Sequence, residues 1–322
     1  MRNWSIVWPT LVAAVAVLDP FAFFQPTLRF DASDRQTLAK GAAIARTVAA
    51  PAGNVGIVAA VPIKIDGQRL IAWMRDIGAL KKSAVVKQIG RFSPTPSLAD
   101  VSGLTLEPAD LDDLTHCRPD DCGLKLTSAE IAGIQKAAAA AGRDRTRREA
   151  AMHRAFRDVI VARATDYLQD GRSGPEPPAF LAANWPQVAR AIRDYPHGGG
   201  GETESFMYWS KDAYAGTPII SITHLTIVHG LRPGDPEVLV IGRQVFATHY
   251  TDASWSFTAL VRDERTPYLV YVNQSAIDLL DTWYGGLIRR TVERRLRTEA
   301  VDVLEGLRRR LESGNPPGTP AR

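Results

Sequence analysis

The sequence predicts an α+β fold in which consecutive strands feed one long C-terminal helix and a helical segment is inserted between two groups of strands. Three observations carry this. Residues 237–312 read as strands running into an amphipathic helix. Residues 55–92 read as strand, helix, strand, built from β-branched runs around an apolar-faced helix. Between them, from Ser93 to Gly201, the chain changes character and is mostly helical.

The N-terminus comes first. Arg2 precedes an apolar run from Ile6 to Leu18, with small residues at Ala14-Val15-Ala16 and a stop at Asp19-Pro20. These are the parts of an export signal. The run is shorter than the ~20 residues that cross a bilayer. Phe21 to Phe24 prolongs the apolar character, so residues 1–24 are assigned as signal peptide or N-terminal anchor. Asp34 to Val48 is expected to be helical, capped by Asp31 or Ser33. Pro51 to Asn54 is a turn, and Val55 to Ile65 is a strand of Val, Ile and Ala. Gln68 to Ile77 is a helix with Leu70, Ile71, Trp73 and Met74 on its apolar side, and Ala84 to Phe92 is the next strand.

The insertion opens with Ser-Pro-Thr-Pro and a short acidic helix at Leu106-Glu107-Pro108. Cys117 and Cys122 flank a turn-prone tetrapeptide, a spacing that permits a disulfide if the chain reverses there. A metal site would recruit His116, but no second Cys/His pair completes a tetrahedral set. The export signal favours the disulfide. Leu124 to Leu126 suggests a brief strand. Thr127 and Glu130 form a capping-box pattern ahead of an alanine-rich helix that ends at Gly142. Arg143 to Asp170 and Ala179 to Tyr195 are further helices, with Gly171 as a C-terminal cap. Gly198 to Gly201 suits a hinge or lid.

Strands follow at Thr203–Ser210, Pro218–His229, Val238–Tyr250, Ser254–Arg262 and Pro267–Asn273. A helix from Ala276 to Glu312 would be about 55 Å long, too long for one domain of this size, so a break is expected at Gly285-Gly286. Leu280, Trp283, Leu287, Ile288, Leu296, Ala300, Val303, Leu304, Leu307 and Leu311 recur at helical spacing. Residues 31–313 form one domain with the insertion at 93–201, and residues 314–322 a disordered Gly/Pro-rich tail.

A net charge of +4 on 322 residues gives no argument for nucleic acid, and none is expected as a partner. No later segment is apolar enough to span a bilayer, which predicts an exported protein, periplasmic or secreted.

Two stretches resemble the START-like (SRPBCC) helix-grip superfamily, which includes the Bet v 1-like proteins. The first is Val61-Pro-Ile-Lys-Ile-Asp66, Leu70-Ile-Ala-Trp-Met-Arg-Asp76 and Val85-Val-Lys-Gln-Ile89. The second is the terminal strand series with its long helix. The likeness covers residues 50–92 and 202–312; the insertion departs from it. The resemblance implies a curved antiparallel sheet gripping the C-terminal helix around a cavity for a lipid-like, apolar molecule. It does not choose between carrier, sensor and enzyme.

Candidate liners of such a cavity are Trp73, Phe206, Tyr208, Phe246, Trp255, Phe257, Tyr271 and Trp283. One sheet face must meet the helix; the insertion covers the other or leaves it partly exposed. The rival is an enzyme using Glu204, His224 and His249 for metal or acid–base chemistry, although no H-x-H or H-E-x-x-H spacing supports it. Ser83, Ser221 and Ser275 lack a G-x-S-x-G setting, which argues against a serine hydrolase. A structural envelope protein is the third reading. No cofactor or metal is implied by the sequence. Arg289, Arg290, Arg294, Arg295, Arg297, Arg308, Arg309 and Arg310 form a solvated helix face or a peripheral contact with anionic lipid.

Overall fold

The computed structural model describes residues 19–25, 28–50, 53–118, 121–170, 179–194, 203–213, 218–229, 235–263, 266–281 and 285–314. Trp283, Gly171 and the glycine run at 198–201 lie outside them. The strands are β1 (Ile44–Val48), β2 (Asn54–Pro62), β3 (Val86–Arg91), β4 (Thr203–Asp212), β5 (Ile219–His229), β6 (Val238–Ala247), β7 (Thr251–Arg262) and β8 (Pro267–Ile277). Together they form one open antiparallel sheet in the order β1-β2-β8-β7-β6-β5-β4-β3. The predicted α+β class is the observed one.

Local chemistry explains most element boundaries. Helix α1 (Ala32–Ala39) starts with a reciprocal cap: Asp34 N–H donates to Asp31 Oδ1 at 2.9 Å and Asp31 N–H to Asp34 Oδ2 at 3.0 Å. It ends before Gly41, whose φ of +85° is left-handed. The predicted helix over residues 34–48 is therefore cut short. Ile44, Thr47 and Val48 are β-branched, and β2 offers them an edge, so this stretch pairs as β1, Ile44 opposite Ala60. The single helix expected over residues 68–77 is two. Asp66 caps α2 (Gly67–Arg75), and Asp76 accepts Ala79 N–H at 3.0 Å to open α3 (Ile77–Lys81). On β3, Gly90 lies under the Trp209 indole, where a Cβ would come within 2.6 Å of Nε1.

Helices cover both faces of the sheet, which is why β2 reads as a continuous apolar run and is buried throughout its centre. The inner face carries Ala59, Val61, Phe206, Tyr208, Leu225, Val240 and Leu269 against α2 and the C-terminal helix. The outer face meets two groups. The insertion helices α4 (Pro108–His116), α5 (Ser128–Ala140) and α6 (Arg145–Asp170) place Ile134, Phe156 and Ile160 on Met207, Trp209, Ile222 and Phe246. Helices α7 (Ala179–Asn184) and α8 (Pro186–Arg193) join the N-terminal segment over Ile241, Trp255, Phe257 and Val270. In that segment Phe21 stacks on Phe30 at 4.2 Å and Phe23 meets the Trp185 ring at 4.9 Å. Phe21, Phe23 and Phe24 thus belong to the folded core, although the sequence places them with the N-terminal 24 residues.

The Thr127–Glu130 capping box is formed, and Arg163 from α6 holds the Glu130 carboxylate through two hydrogen bonds of 2.8 and 2.7 Å. Cys117 and Cys122 are disulfide-bonded, with Cα atoms 4.8 Å apart. His116 turns away to the Asp112 carbonyl, and the Asp113 carboxylate accepts Gly123 N–H at 2.7 Å beside the bridge. The strand expected at Leu124–Leu126 is absent, this stretch being irregular. Replacing both cysteines by alanine is expected to cost about 2 kcal/mol, the loop-closure value for so short a ring. Urea unfolding of the double variant, compared with oxidised wild type, measures it.

The C-terminal helix α9 (Gly285–Ser313) is about 43 Å long and lies over β1 and β2. It begins at the glycine pair where a break was expected. Gly285 sits so close to the Leu280 carbonyl that a Cβ would overlap it. Leu304 and Leu311 are buried, flanked by half-buried Ala300 and Leu307. Val303 is a correction: it is 55% exposed, one position off the buried stripe. Several arginines also act otherwise than a solvated face would. Arg289 donates to the Asn54 carbonyl at 2.7 Å, Arg308 to the Gly41 carbonyl at 2.8 Å, and Arg310 to the Leu80 carbonyl. Arg290, Arg294, Arg297 and Arg309 remain exposed.

Candidate functional site

The inner face of the sheet divides into two zones. The first is apolar. Phe206 and Tyr208 of β4, Tyr271 of β8 and Trp73 of α2 share one cluster with Leu225, Val240 and Leu304. Trp73 packs against Gly314, just past the end of α9, and its buried indole Nε1 has no hydrogen-bond acceptor among the described residues. Charges rim this zone. The Arg91 guanidinium lies 3.8 Å from the Phe206 ring centroid, and Lys81 Nζ lies 5.1 Å from that of Tyr208. Arg75 grips the Glu204 carboxylate through Nε and Nη2, at 3.0 and 2.9 Å. Lys81 faces Asp212 at 3.5 Å, and Ser210 Oγ donates to that carboxylate at 2.7 Å.

The second zone is polar. Thr223 of β5, Gln244 of β6, Ser254, Ser256 and Thr258 of β7, and Asn273 and Ser275 of β8 are all half-buried. Strand register makes them neighbours: Thr223 is opposite Gln244, Gln244 opposite Ser254, Ser254 opposite Ser275, and Ser256 opposite Asn273. Ser254 Oγ lies 2.9 Å from Ser275 Oγ, Asn273 Nδ2 donates to Ser254 Oγ at 3.0 Å, and Ser275 Oγ donates to Asn273 Oδ1 at 2.9 Å. Gln244 Nε2 donates to Thr251 Oγ1 at 3.0 Å. Ser256 stands over Gly242, where a Cβ would be 2.4 Å from its hydroxyl. None of Ser254, Ser256 and Ser275 is hydrogen-bonded to a histidine or a carboxylate among the described residues, and there the band presents donors and acceptors.

The sequence-predicted residues fall on both faces. Trp73, Phe206, Tyr208 and Tyr271 come together on the inner face. Trp255 and Phe257 point to the outer face and are buried under the N-terminal segment and α8; Phe246 is buried under α5 and α6. These three do not line a space beside α9. Glu204, His224 and His249 do not meet either. Glu204 is on the inner face with Arg75. His249 sits between β6 and β7, with Nδ1 2.8 Å from the Gly123 carbonyl oxygen. Its Nε2 is 3.3 Å from Asp110 Oδ1, at ion-pair distance but outside hydrogen-bond geometry. It fastens the disulfide loop to the sheet.

His224 is on the outer face. Both ring nitrogens are within hydrogen-bond reach of a hydroxyl. Arg243 Nη1 donates to Tyr167 Oη at 3.3 Å, Tyr167 Oη lies 2.8 Å from His224 Nδ1, and Thr226 Oγ1 lies 3.4 Å from His224 Nε2. Burial, reinforced by the Arg243 charge, pushes the His224 imidazole down to about 3. At neutral pH it is an uncharged hydrogen-bond relay in a packed layer.

The polar band is what the sequence reading missed. Its signal was the alternation in β7, where Ser254, Ser256 and Thr258 interleave with Trp255, Phe257 and Ala259. Comparison with protein-family models, with characterised proteins and with solved structures finds no match to this chain.

Proposed function

We propose that this is an exported START-like, helix-grip protein that binds a lipid-like molecule between the inner sheet face and the C-terminal helix, as a carrier or sensor. The observation that carries the reading is the half-buried polar band continuous with the aromatic cluster on that one face. An amphipathic molecule would lay its apolar part on Phe206, Tyr208 and Tyr271, and its polar part on Thr223, Gln244 and Asn273. Connectivity supports the family likeness: β2 is followed by two helices, β3 forms the far edge, and β4 to β8 return to pair with β2 before α9. The disulfide supports export into a periplasmic or extracellular space. No helix among the described residues is long and apolar enough to cross a membrane. Exposed Arg290, Arg294 and Arg297 are suited to a peripheral contact with anionic headgroups while a ligand is exchanged.

Binding of an environment-sensitive fatty-acyl probe tests the proposal. Thr258→Trp places a large ring on the floor of the face, at a half-buried position opposite Val240 and Tyr271. Probe affinity is expected to fall at least about tenfold while the melting temperature moves little, since the side chain is outside the packed core. Unchanged affinity in a folded variant would remove the ligand from this face. Failure of the wild type to bind any apolar or amphipathic probe would remove the carrier reading itself.

A further inference from the structure

Three hydroxyls of the inner polar band, on Thr223, Ser256 and Thr258, make no hydrogen bond among the described residues. They are not sealed into the core: each residue is half-buried and its hydroxyl keeps accessible surface. Gln244 has one end of its amide on Thr251 and the other without a partner among the described residues. Two of the hydroxyl-bearing side chains converge. Thr223 and Ser256 flank Gly242 from β5 and β7, and the point where a Gly242 side chain would begin lies 3.7 Å from Thr223 Cγ2 and 2.4 Å from Ser256 Oγ. A glycine inside a strand keeps the floor low where another group must approach. The helices leave this part of the face open: α9 packs over β1 and β2, α2 reaches β5 and β6, and Ser254, Ser256 and Asn273 between them stay half-buried.

The band is also without charge. Among the inner positions of residues 221–227, 240–244, 254–260 and 269–275 there is no Asp, Glu, Lys, Arg or His. Charges stand at the rim, and they are matched. Arg75 holds Glu204, Lys81 faces Asp212, and Arg91 on the edge strand donates to the Arg75 carbonyl while lying over the Phe206 ring. Resting on the lipid-binding reading above, we infer that the ligand's head group is uncharged and rich in hydroxyls, a sugar or glycerol head seated over Gly242 between Thr223 and Ser256. A hydroxyl both donates and accepts, so it can pair with any serine, threonine or amide of the band. A carboxylate, phosphate or ammonium head would leave water for a floor that offers no opposite charge, and an unpaired charge there is costly. The band crosses four strands, about 14 Å at ~4.8 Å per strand, which is wide enough for either head.

Calorimetric titration of the whole chain tests this with amphiphiles that share a twelve-carbon tail, each kept below its micelle concentration. Dodecyl maltoside and monolauroyl glycerol carry the uncharged heads; laurate, dodecyl phosphate and dodecyltrimethylammonium carry the charged ones. At least one uncharged amphiphile is expected to bind about tenfold tighter, or more, than every charged one. Tighter binding of the maltoside identifies a sugar head, and of the glyceride a glycerol head. Thr223→Val combined with Ser256→Ala deletes two hydroxyls with little change of shape. It should weaken the preferred amphiphile about tenfold, as loss of two hydrogen bonds does. Should the double variant not fold, the wild-type series decides alone. A charged head that binds as tightly as the uncharged ones, or a preference unaltered in the folded double variant, overturns the head-group assignment and leaves the lipid-binding reading standing. Binding of no member of the series removes both.

Discussion

Between pH 6 and 4 the wild-type protein is expected to lose about 1.4 kcal/mol of stability per pH unit through His224 alone. The sign follows from which state takes up the proton. In the unfolded chain the imidazole titrates near its ordinary value of 6.5; in the folded protein burial and Arg243 hold it down to about 3. Below 6.5 the unfolded chain therefore binds a proton that the native protein refuses, and stability falls until the pH reaches the folded value. Over that range the loss amounts to roughly 4–5 kcal/mol, a large share of a typical domain's total. His224→Gln keeps one donor and one acceptor for Tyr167 and Thr226 but cannot be charged. Urea unfolding at several pH values should show the variant with a shallower pH slope by about 1.4 kcal/mol per unit. Parallel slopes for the two proteins would mean that His224 is not held neutral. His153 shifts downward too, through burial and then Arg157, but it is only partly buried and is common to both proteins.

Leu304→Ala and Leu311→Ala are each expected to cost roughly 2–5 kcal/mol, as Leu truncations in packed cores do. Both side chains are buried, at 3% and 0% exposure, between α9 and the inner face. Leu311 anchors the helix end where Arg69 donates to its carbonyl and Glu312 accepts Lys64 N–H at 2.8 Å. Val303→Ala, one position from Leu304, should change stability by less than about 0.5 kcal/mol, because its side chain is in solvent. Equilibrium unfolding of the three variants gives the pattern. Equal costs at positions 303 and 304 would show that α9 is rotated on the sheet.

Sequence periodicity carried the fold further than it carried the site. The terminal strands, the capping box at Thr127, the glycine start of α9 and the disulfide were all legible, because each depends on neighbours a few residues away. β1 was not: Ile44 to Val48 has both helical spacing and β-branched content, and only the distant edge of β2 decides between them. The aromatic residues misled for a similar reason. Alternation along β7 separates Trp255 and Phe257 from Ser254, Ser256 and Thr258, but it says nothing about which helices cover which side. The insertion and the N-terminal segment seal the aromatic side, leaving the serine side as the accessible one. Val303 belongs to the same class: helical spacing defined a stripe, and the contact with β1 and β2 narrowed it.

The pairing of β2 with β8 has a consequence for how the chain acquires its structure. Asn54 is opposite Ala276 and Pro62 opposite Tyr268, contacts separated by roughly 200 residues of intervening chain. Until the last strand is available, β2 has only the five residues of β1 to pair with, and a two-stranded hairpin is marginal in water. Such non-local closure makes formation of the complete sheet slow. The insertion helices, whose contacts with one another are local, are free to form while the sheet is still unpaired. Assembly is therefore expected to run from the middle of the chain outward, and a truncation that removes β8 is expected to leave the insertion's helices beside an incompletely paired, aggregation-prone set of strands.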